Sequence, residues 1–147
     1  PRLDVDGIDA AHKLSIIAAL AFGTRVRFDA VQMQGIGRVR IEDIRYAGEL
    51  GFRIKLLGVA QMTGRGLEQR MTPCLVPVSS PLGQLTGGTN MVVLDGAASG
   101  PIVLRGAGAG AGPTASAVVA DVIDIARGNR FPTFGIQARD LAEPTPA

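Results

Sequence analysis

The first half of the chain contains two stretches in which apolar residues recur every three or four positions. The longer one covers residues 7–22, and its spacing predicts an amphipathic helix. Its apolar positions are Ile8, Ala11, Leu14, Ile17, Ala18 and Ala21. Asp6 is predicted to cap the start of this helix, and Gly23 is predicted to end it. The same spacing predicts a second, shorter helix over Ile41–Leu50.

After this second helix the pattern becomes that of β-strands. Phe52–Met62 and Leu67–Val78 predict two strands, joined by a hairpin turn at residues 63–66, where two glycines lie. Pro73 and Pro77 lack the N–H group that a central strand donates to its neighbour. The second strand is therefore predicted to lie at a sheet edge or to end early.

In the second half of the chain, predicted strands come first and a predicted helix follows them. Asn90–Leu94 and Ile102–Arg105 predict another pair of strands, and a glycine-rich segment at residues 106–112 follows them. A helix is predicted from Pro113 to Arg127. Its apolar stripe consists of Ala115, Val118, Val119, Val122, Ile123 and Ala126. This order of elements predicts an α+β fold with a largely antiparallel β-sheet covered by helices.

Composition narrows the class of protein. Apolar residues make up 46% of the 147 residues, which is enough to bury a core for one domain. No apolar run approaches the roughly 18 residues that a membrane-spanning helix needs, and the charged N-terminal residues exclude a signal peptide. One cysteine and one histidine exclude an internal disulfide and a zinc site. These features predict a cytoplasmic protein with no membrane partner.

Charge argues against nucleic-acid binding. The net charge is +2, and the thirteen arginines are scattered along the chain. With one tyrosine and no tryptophan, the sequence offers neither a basic stripe nor an aromatic platform for bases. Lys13 and Lys55 are the only lysines, so lysine chemistry has two candidates.

The first candidate site lies on the first predicted helix. Asp9 and Lys13 are four residues apart and therefore share one face, and Asp4 stands just before the helix. A carboxylate that can hold an ammonium group, one turn from a lysine that can exchange a proton, suits an amino-acid substrate. The alternative is a solvated ion pair worth about 0.2–0.5 kcal/mol.

The second candidate site is the glycine-rich segment, which includes Gly108 and Gly110. Glycines let the backbone approach a ligand closely, and the following helix offers free N–H groups to a phosphate. No Gly-Lys-Ser/Thr follows, so the segment is not a P-loop, and Pro113 stands where the dinucleotide fingerprint needs a third glycine. A flexible connector is the alternative.

Three other polar residues have simpler interpretations. Asn90, at the head of a predicted strand, is typical of a turn or cap residue. Cys74, between prolines and aliphatic residues, is predicted to be an inert core thiol. His12 is predicted to be a partly exposed polar residue.

Three ordered motifs resemble homoserine dehydrogenase. The first is Asp4-Val5-Asp6-Gly7-Ile8-Asp9-Ala10-Ala11-His12-Lys13-Leu14. The second joins Glu42-Asp43-Ile44 with Gly51-Phe52-Arg53-Ile54-Lys55-Leu56-Leu57-Gly58. The third joins Gly106-Ala107-Gly108-Ala109-Gly110 with Pro113-Thr114-Ala115-Ser116-Ala117. Together they cover residues 4 to 127, with small departures at Ala107, where arginine is common, and at Gly112.

The resemblance implies a reaction and roles for individual residues. The family interconverts L-homoserine and L-aspartate 4-semialdehyde with NAD or NADP, on the route to threonine, methionine and isoleucine. By motif, Lys13 corresponds to the catalytic acid/base, Asp9 to a substrate-binding residue, and Asp4 to a second acidic residue of that site. Gly108 and Gly110 fall in the loop that contacts the cofactor.

The resemblance also implies parts that this sequence lacks. Family members begin with a Rossmann domain, which sets the choice between NAD and NADP, and they carry a monovalent-cation loop upstream. We therefore expect a fragment that is dimeric and, alone, inactive. Its expected divisions are a substrate and dimerisation domain (1–106), a glycine loop and helix returning to the nucleotide-binding domain (107–130), and a linker (131–147). The alternative function is a non-catalytic α+β dimerisation module or a homoserine-binding module.

Overall fold

The computed structural model describes residues 2–145, which form two compact units. The first unit comprises residues 2–76 and 131–145, and the second comprises residues 77–130.

The helices are α1 (Arg2–Val5), α2 (Ile8–Phe22), α3 (Ile41–Glu49) and α4 (Ala111–Ala126). The strands are β1 (Gln32–Met33), β2 (Phe52–Thr63), β3 (Gly66–Pro77), β4 (Thr89–Gly96) and β5 (Gly100–Ala107). Helices and mixed or antiparallel strands confirm the predicted α+β class. Within the described residues, no helix combines the length and the apolar character that crossing a bilayer requires.

The start of α2 differs from the prediction. The residue that caps it is Gly7, in the left-handed region with φ 77°, and the predicted cap at Asp6 is wrong. Asp6 still belongs to the turn that ends α1, because its N–H donates to the carbonyl oxygen of Arg2 at 2.9 Å. The predicted stop is confirmed: Gly23 ends α2 with φ 64°.

The core of the first unit lies between α2 and a three-stranded sheet. The strand order is β1–β3–β2, and a two-residue turn at 64–65 joins β2 to β3. The buried cluster consists of Ala11 and Leu14 from α2, Val31, and Met71 from β3. Phe28, Leu56 and Ala60 pack against this cluster. Of the predicted apolar face of α2, Ala11 and Leu14 therefore lie in the core, whereas Ala21 is exposed.

Strand β3 is central in the sheet along only part of its length. The short strand β1 pairs with it in parallel at Arg70 and Met71 alone. Pro73 and Pro77 lie beyond that pairing, where no N–H is required on the β1 side. The expectation of an edge strand thus holds for the proline-containing end, although β3 continues to Pro77.

Residues 131–145 return to the first unit instead of extending as a linker. Ala142 forms a parallel bridge with Thr24, and its N–H donates to the carbonyl oxygen of Gly23 at 3.0 Å. Leu141 and Pro144 are buried. The N–H of Leu67 donates to the carbonyl oxygen of Thr145 at 2.8 Å, so this segment also closes on the start of β3.

The second unit contains a β-hairpin and one long helix. β4 and β5 are antiparallel, and their register runs from Thr89 opposite Ala107 to Gly96 opposite Gly100. α4 begins at Ala111, so Pro113 is its third residue and not its first. Every residue of α4 is exposed, including the predicted apolar stripe. The functional divisions predicted at residues 106, 107 and 130 stay predictions.

Candidate functional site

The first candidate site lies on the solvent face of α2. The Lys13 Nζ atom lies 2.6 Å from Asp9 Oδ2, which is both a hydrogen bond and an ion pair. The side chains are 58% and 50% exposed, respectively. Both groups therefore remain accessible to a small polar molecule, and the predicted pairing of Asp9 with Lys13 is present.

Tight packing beneath the start of α2 fixes where this pair stands. A β-carbon at Gly7 would lie 2.9 Å from Met71 Cγ and 3.2 Å from Leu56 Cδ2. Ala11, one turn further along α2, is fully buried. The first turn of α2 thus rests directly on the sheet, and Asp9 projects from a rigid element.

Asp4 belongs to α1 and stands apart from the pair. Its side chain is exposed, and in residues 2–145 it forms no ion pair or hydrogen bond with Asp9 or Lys13. A neighbouring loop holds this end of α1, because the N–H of Ile36 donates to the carbonyl oxygen of Val5 at 2.9 Å. A β-carbon at Gly35 would overlap that same carbonyl oxygen. The acidic turn is thereby fixed next to the beginning of α2.

The His12 imidazole has a contact that the sequence did not indicate. It stacks on the Phe28 ring with the centroids 3.8 Å apart and the planes 8° from parallel. The two residues are far apart in sequence, and no spacing rule links a helix residue to a ring in a later turn. The stack holds the His12 side chain in place, and the side chain of the next residue, Lys13, takes no part in it.

An ion cluster flanks Phe28. Arg27 donates to both carboxylate oxygens of Asp29, at 3.0 and 2.8 Å, and lies 3.5 Å from Glu143. The hydrogen bonds from Arg27 hold the pKa of Asp29 below its usual value, and Asp29 in turn raises the pKa of Arg27. Arg27 thus stays cationic and ties the stacking turn to residues 141–145.

The glycine-rich segment lies in the second unit. Gly110 precedes α4 with φ 120°, and no side chain caps the helix there. Gly108 lies against the side-chain amide of Asn90, which a β-carbon at position 108 would overlap. Gly108 is therefore covered by the Asn90 side chain, whereas the N–H groups at the start of α4 have no side-chain cap.

Two further features of the described residues concern alternative sites. No group of three or more potential metal ligands occurs there. A cleft of about 230 Å³ in the first unit is lined by residues that include Arg38, Asp43 and Cys74, but by neither Asp9 nor Lys13. Cys74 is a partly buried free thiol, 3.5 Å from the carbonyl oxygen of Thr72.

Comparison with known proteins gives one consistent family. A sequence model of homoserine dehydrogenase matches residues 1–123. The homoserine dehydrogenase of Neisseria gonorrhoeae is 52% identical over 127 residues, covering 86% of this chain and 29% of that protein.

Solved structures agree with the sequence match. The crystal structure of a homoserine dehydrogenase from Thiobacillus denitrificans has a TM-score of 0.89 and 45% identity, covering 97% of this chain and 34% of that one. A hyperthermophilic archaeal homoserine dehydrogenase mutant in complex with NADPH has a TM-score of 0.65 and 28% identity, covering 87% of this chain and 35% of that one.

The chain thus spans about a third of the length of the relatives it matches. Both the predicted resemblance and the predicted fold class are confirmed, since the matched region includes the Asp9–Lys13 pair and the glycine-rich segment. The chain belongs to the homoserine dehydrogenase family.

Proposed function

We propose that this chain supplies the substrate side of an NAD(P)-dependent oxidoreductase that interconverts L-homoserine and L-aspartate 4-semialdehyde. The observation that carries the proposal is the 2.6 Å contact between Lys13 and Asp9 on an exposed, rigidly supported helix face. The reaction is inferred from family membership, and the contact places a proton-exchanging amine next to a carboxylate. The activity would need the further length that the relatives have.

Lys13 and Asp9 divide the chemistry between proton transfer and substrate binding. In aldehyde reduction, the Lys13 ammonium donates a proton to the carbonyl oxygen as a hydride reaches the carbonyl carbon. In the reverse direction, the Lys13 amine accepts the hydroxyl proton of homoserine. Asp9 binds the substrate ammonium group, and Asp4 of α1 is the second acidic residue that the family motif assigns to the substrate site.

The cofactor would rest against the glycine-rich segment. NAD(P), when bound, supplies or accepts the hydride. Gly108 and Gly110 carry no side chain that would cover their backbone, and the uncapped N–H groups that open α4 suit the cofactor's phosphates. One structural neighbour was solved with NADPH, which supports this class of cofactor.

We further propose that the active form is a cytoplasmic homodimer with no membrane or nucleic-acid partner, and that the full-length enzyme binds a monovalent cation. The dimer is proposed from the family resemblance, and the single cysteine supports a reducing compartment.

Steady-state kinetics of the full-length gene product test the role of the pair. Lys13→Ala should lower kcat with homoserine and NAD(P) by a factor of about a hundred to ten thousand, because general acid–base catalysis contributes that much. Circular dichroism should show an unchanged fold, since the side chain is 58% exposed.

A matched ion pair in the same unit provides the control for Asp9. Asp6 forms an ion pair with Arg2 at the same four-residue spacing, at 3.4 Å. Asp9→Asn should raise the KM for homoserine, whereas Asp6→Asn should leave it within about twofold. Homoserine binding without turnover in the unsubstituted protein would instead indicate a binding module, and full activity of Lys13→Ala would overturn the assignment.

A further inference from the structure

Asn90 occupies a place in the second unit that its sequence position did not suggest. It is the second residue of β4 and pairs with Gly106 of β5, so it lies within the ladder and not in a turn. β5 ends at Ala107, and the chain then passes over the Asn90 side chain. Asparagine is disfavoured in strands, and a turn or cap does not account for its presence here.

The side-chain amide of Asn90 has unused hydrogen-bonding groups. It carries two donors and one acceptor, and within residues 2–145 it makes no side-chain hydrogen bond. The residue is exposed, so the amide is accessible from solvent. The amide lies against Gly108. A β-carbon at position 108 would overlap the amide nitrogen of Asn90 and the carbon bonded to that nitrogen.

We propose that Asn90 is a cofactor-binding residue, whose amide hydrogen-bonds a polar group of the nicotinamide dinucleotide that rests on the glycine-rich segment. The inference rests on the proposed function of that segment. Gly108 has a matching role: it leaves the space in which the amide stands. Any side chain at position 108 would push the amide aside, so changes at the two positions remove the same interaction.

The test uses the full-length gene product and titration of NADPH by its fluorescence. We expect Asn90→Ala and Gly108→Ala each to raise the Kd for NADPH by about three- to tenfold, the effect of losing one hydrogen bond. The double variant should be no weaker than either single variant within about twofold, because one displaced amide accounts for both effects.

Gly88→Ala is the matched control. Gly88 lies just before β4 and outside the glycine-rich segment, its φ is not positive, and a β-carbon there meets nothing within 4 Å. It should leave the Kd within about twofold. Thermal unfolding of all variants, measured without cofactor, shows whether Gly108→Ala acts on folding, and we expect its Tm to match that of Gly88→Ala.

Each other outcome has a definite meaning. An unchanged Kd in Asn90→Ala overturns the proposal while leaving the proposed function intact. The same holds if the two single effects multiply in the double variant, or if Asn90→Ala restores the binding that Gly108→Ala lost. Failure of the unsubstituted protein to bind NADPH or NADH overturns the proposed function, and this inference with it.

Discussion

At the scale of single residues, Gly7 and Gly51 have the same backbone conformation in different surroundings. Their φ angles are 77° and 80°. A β-carbon at Gly7 would lie 2.9 Å from Met71 Cγ, whereas one at Gly51 would meet nothing within 4 Å. Alanine substitutions at these two glycines therefore distinguish the cost of backbone strain from the cost of overpacking.

We predict that Gly51→Ala lowers the free energy of unfolding by about 1 kcal/mol, the cost of a left-handed conformation for an L-residue. Gly7→Ala should lower it by about 1–3 kcal/mol more, because the extra methyl group must displace packed side chains. Urea unfolding measures both values. Equal losses would mean that the sheet moves away freely beneath α2.

The pKa of Asp29 gives a prediction about acid stability. Since the hydrogen bonds from Arg27 lower that pKa in the fold, the contribution of Asp29 is fully present above its unfolded pKa of about 3.9. The contribution is lost as pH falls through the lower folded value. Asp29→Asn should therefore lower the Tm slightly at pH 7 and leave it unchanged near pH 2. A Tm difference that is the same at both pH values would contradict this account.

The residues of the candidate site were predictable to different degrees. Asp9 and Lys13 could be paired because helical geometry alone brings positions four apart together. The stack of His12 on Phe28 and the contact of Gly108 with Asn90 depend on how separate segments pack. No local pattern encodes such contacts.

At the scale of elements, the segment 131–145 contributes to the core of the first unit. Leu141 is 9% exposed, whereas Phe131 is 84% exposed. We predict that Leu141→Ala lowers the free energy of unfolding by about 2 kcal/mol, the lower end for a buried leucine. Phe131→Ala should change it by less than about 0.5 kcal/mol. If Leu141→Ala proves equally neutral, the segment does not stabilise the unit.

A comparison of the elements also shows which of them can be predicted from a sequence pattern alone. α2, α3 and α4 follow from periodicity within each segment, and their observed bounds lie within two residues of the predictions. α1 carries no such pattern, because it has only four residues and depends on its neighbours. The closure of Thr145 on Leu67 joins segments on either side of the whole second unit, and local reasoning predicted a linker there instead.

At the scale of the whole molecule, exposed apolar surface predicts self-association. Val118 and Val122, one turn apart on α4, are 57% and 59% exposed. Side chains of this kind on one helix face are typical of an interaction surface. We predict that the 147-residue chain is dimeric in solution and that Val122→Glu shifts it toward monomer, as measured by light scattering.

The opposite face of the same helix supplies the control. Ala117 lies well away from Val118 and Val122 around the helix axis, since successive residues advance by about 100°. Ala117→Glu should therefore leave the dimer intact. A monodisperse monomer of the unsubstituted chain would contradict the prediction, and equal effects of both glutamates would show that α4 is not the contact.

The contact between Leu67 and Thr145 has a consequence for the order of events in folding. The first unit is discontinuous in sequence, because residues 77–130 form the second unit and separate its two segments. The ribosome therefore synthesises all of residues 77–130 before the segment that completes the first unit. Contacts between residues so far apart form late, since the intervening loop must first be closed against its chain entropy. On the ribosome, the β2–β3 hairpin would therefore wait with its Leu67 amide unpaired until residues 131–145 emerge. The contact that completes the first unit can therefore form only after the whole second unit has been synthesised.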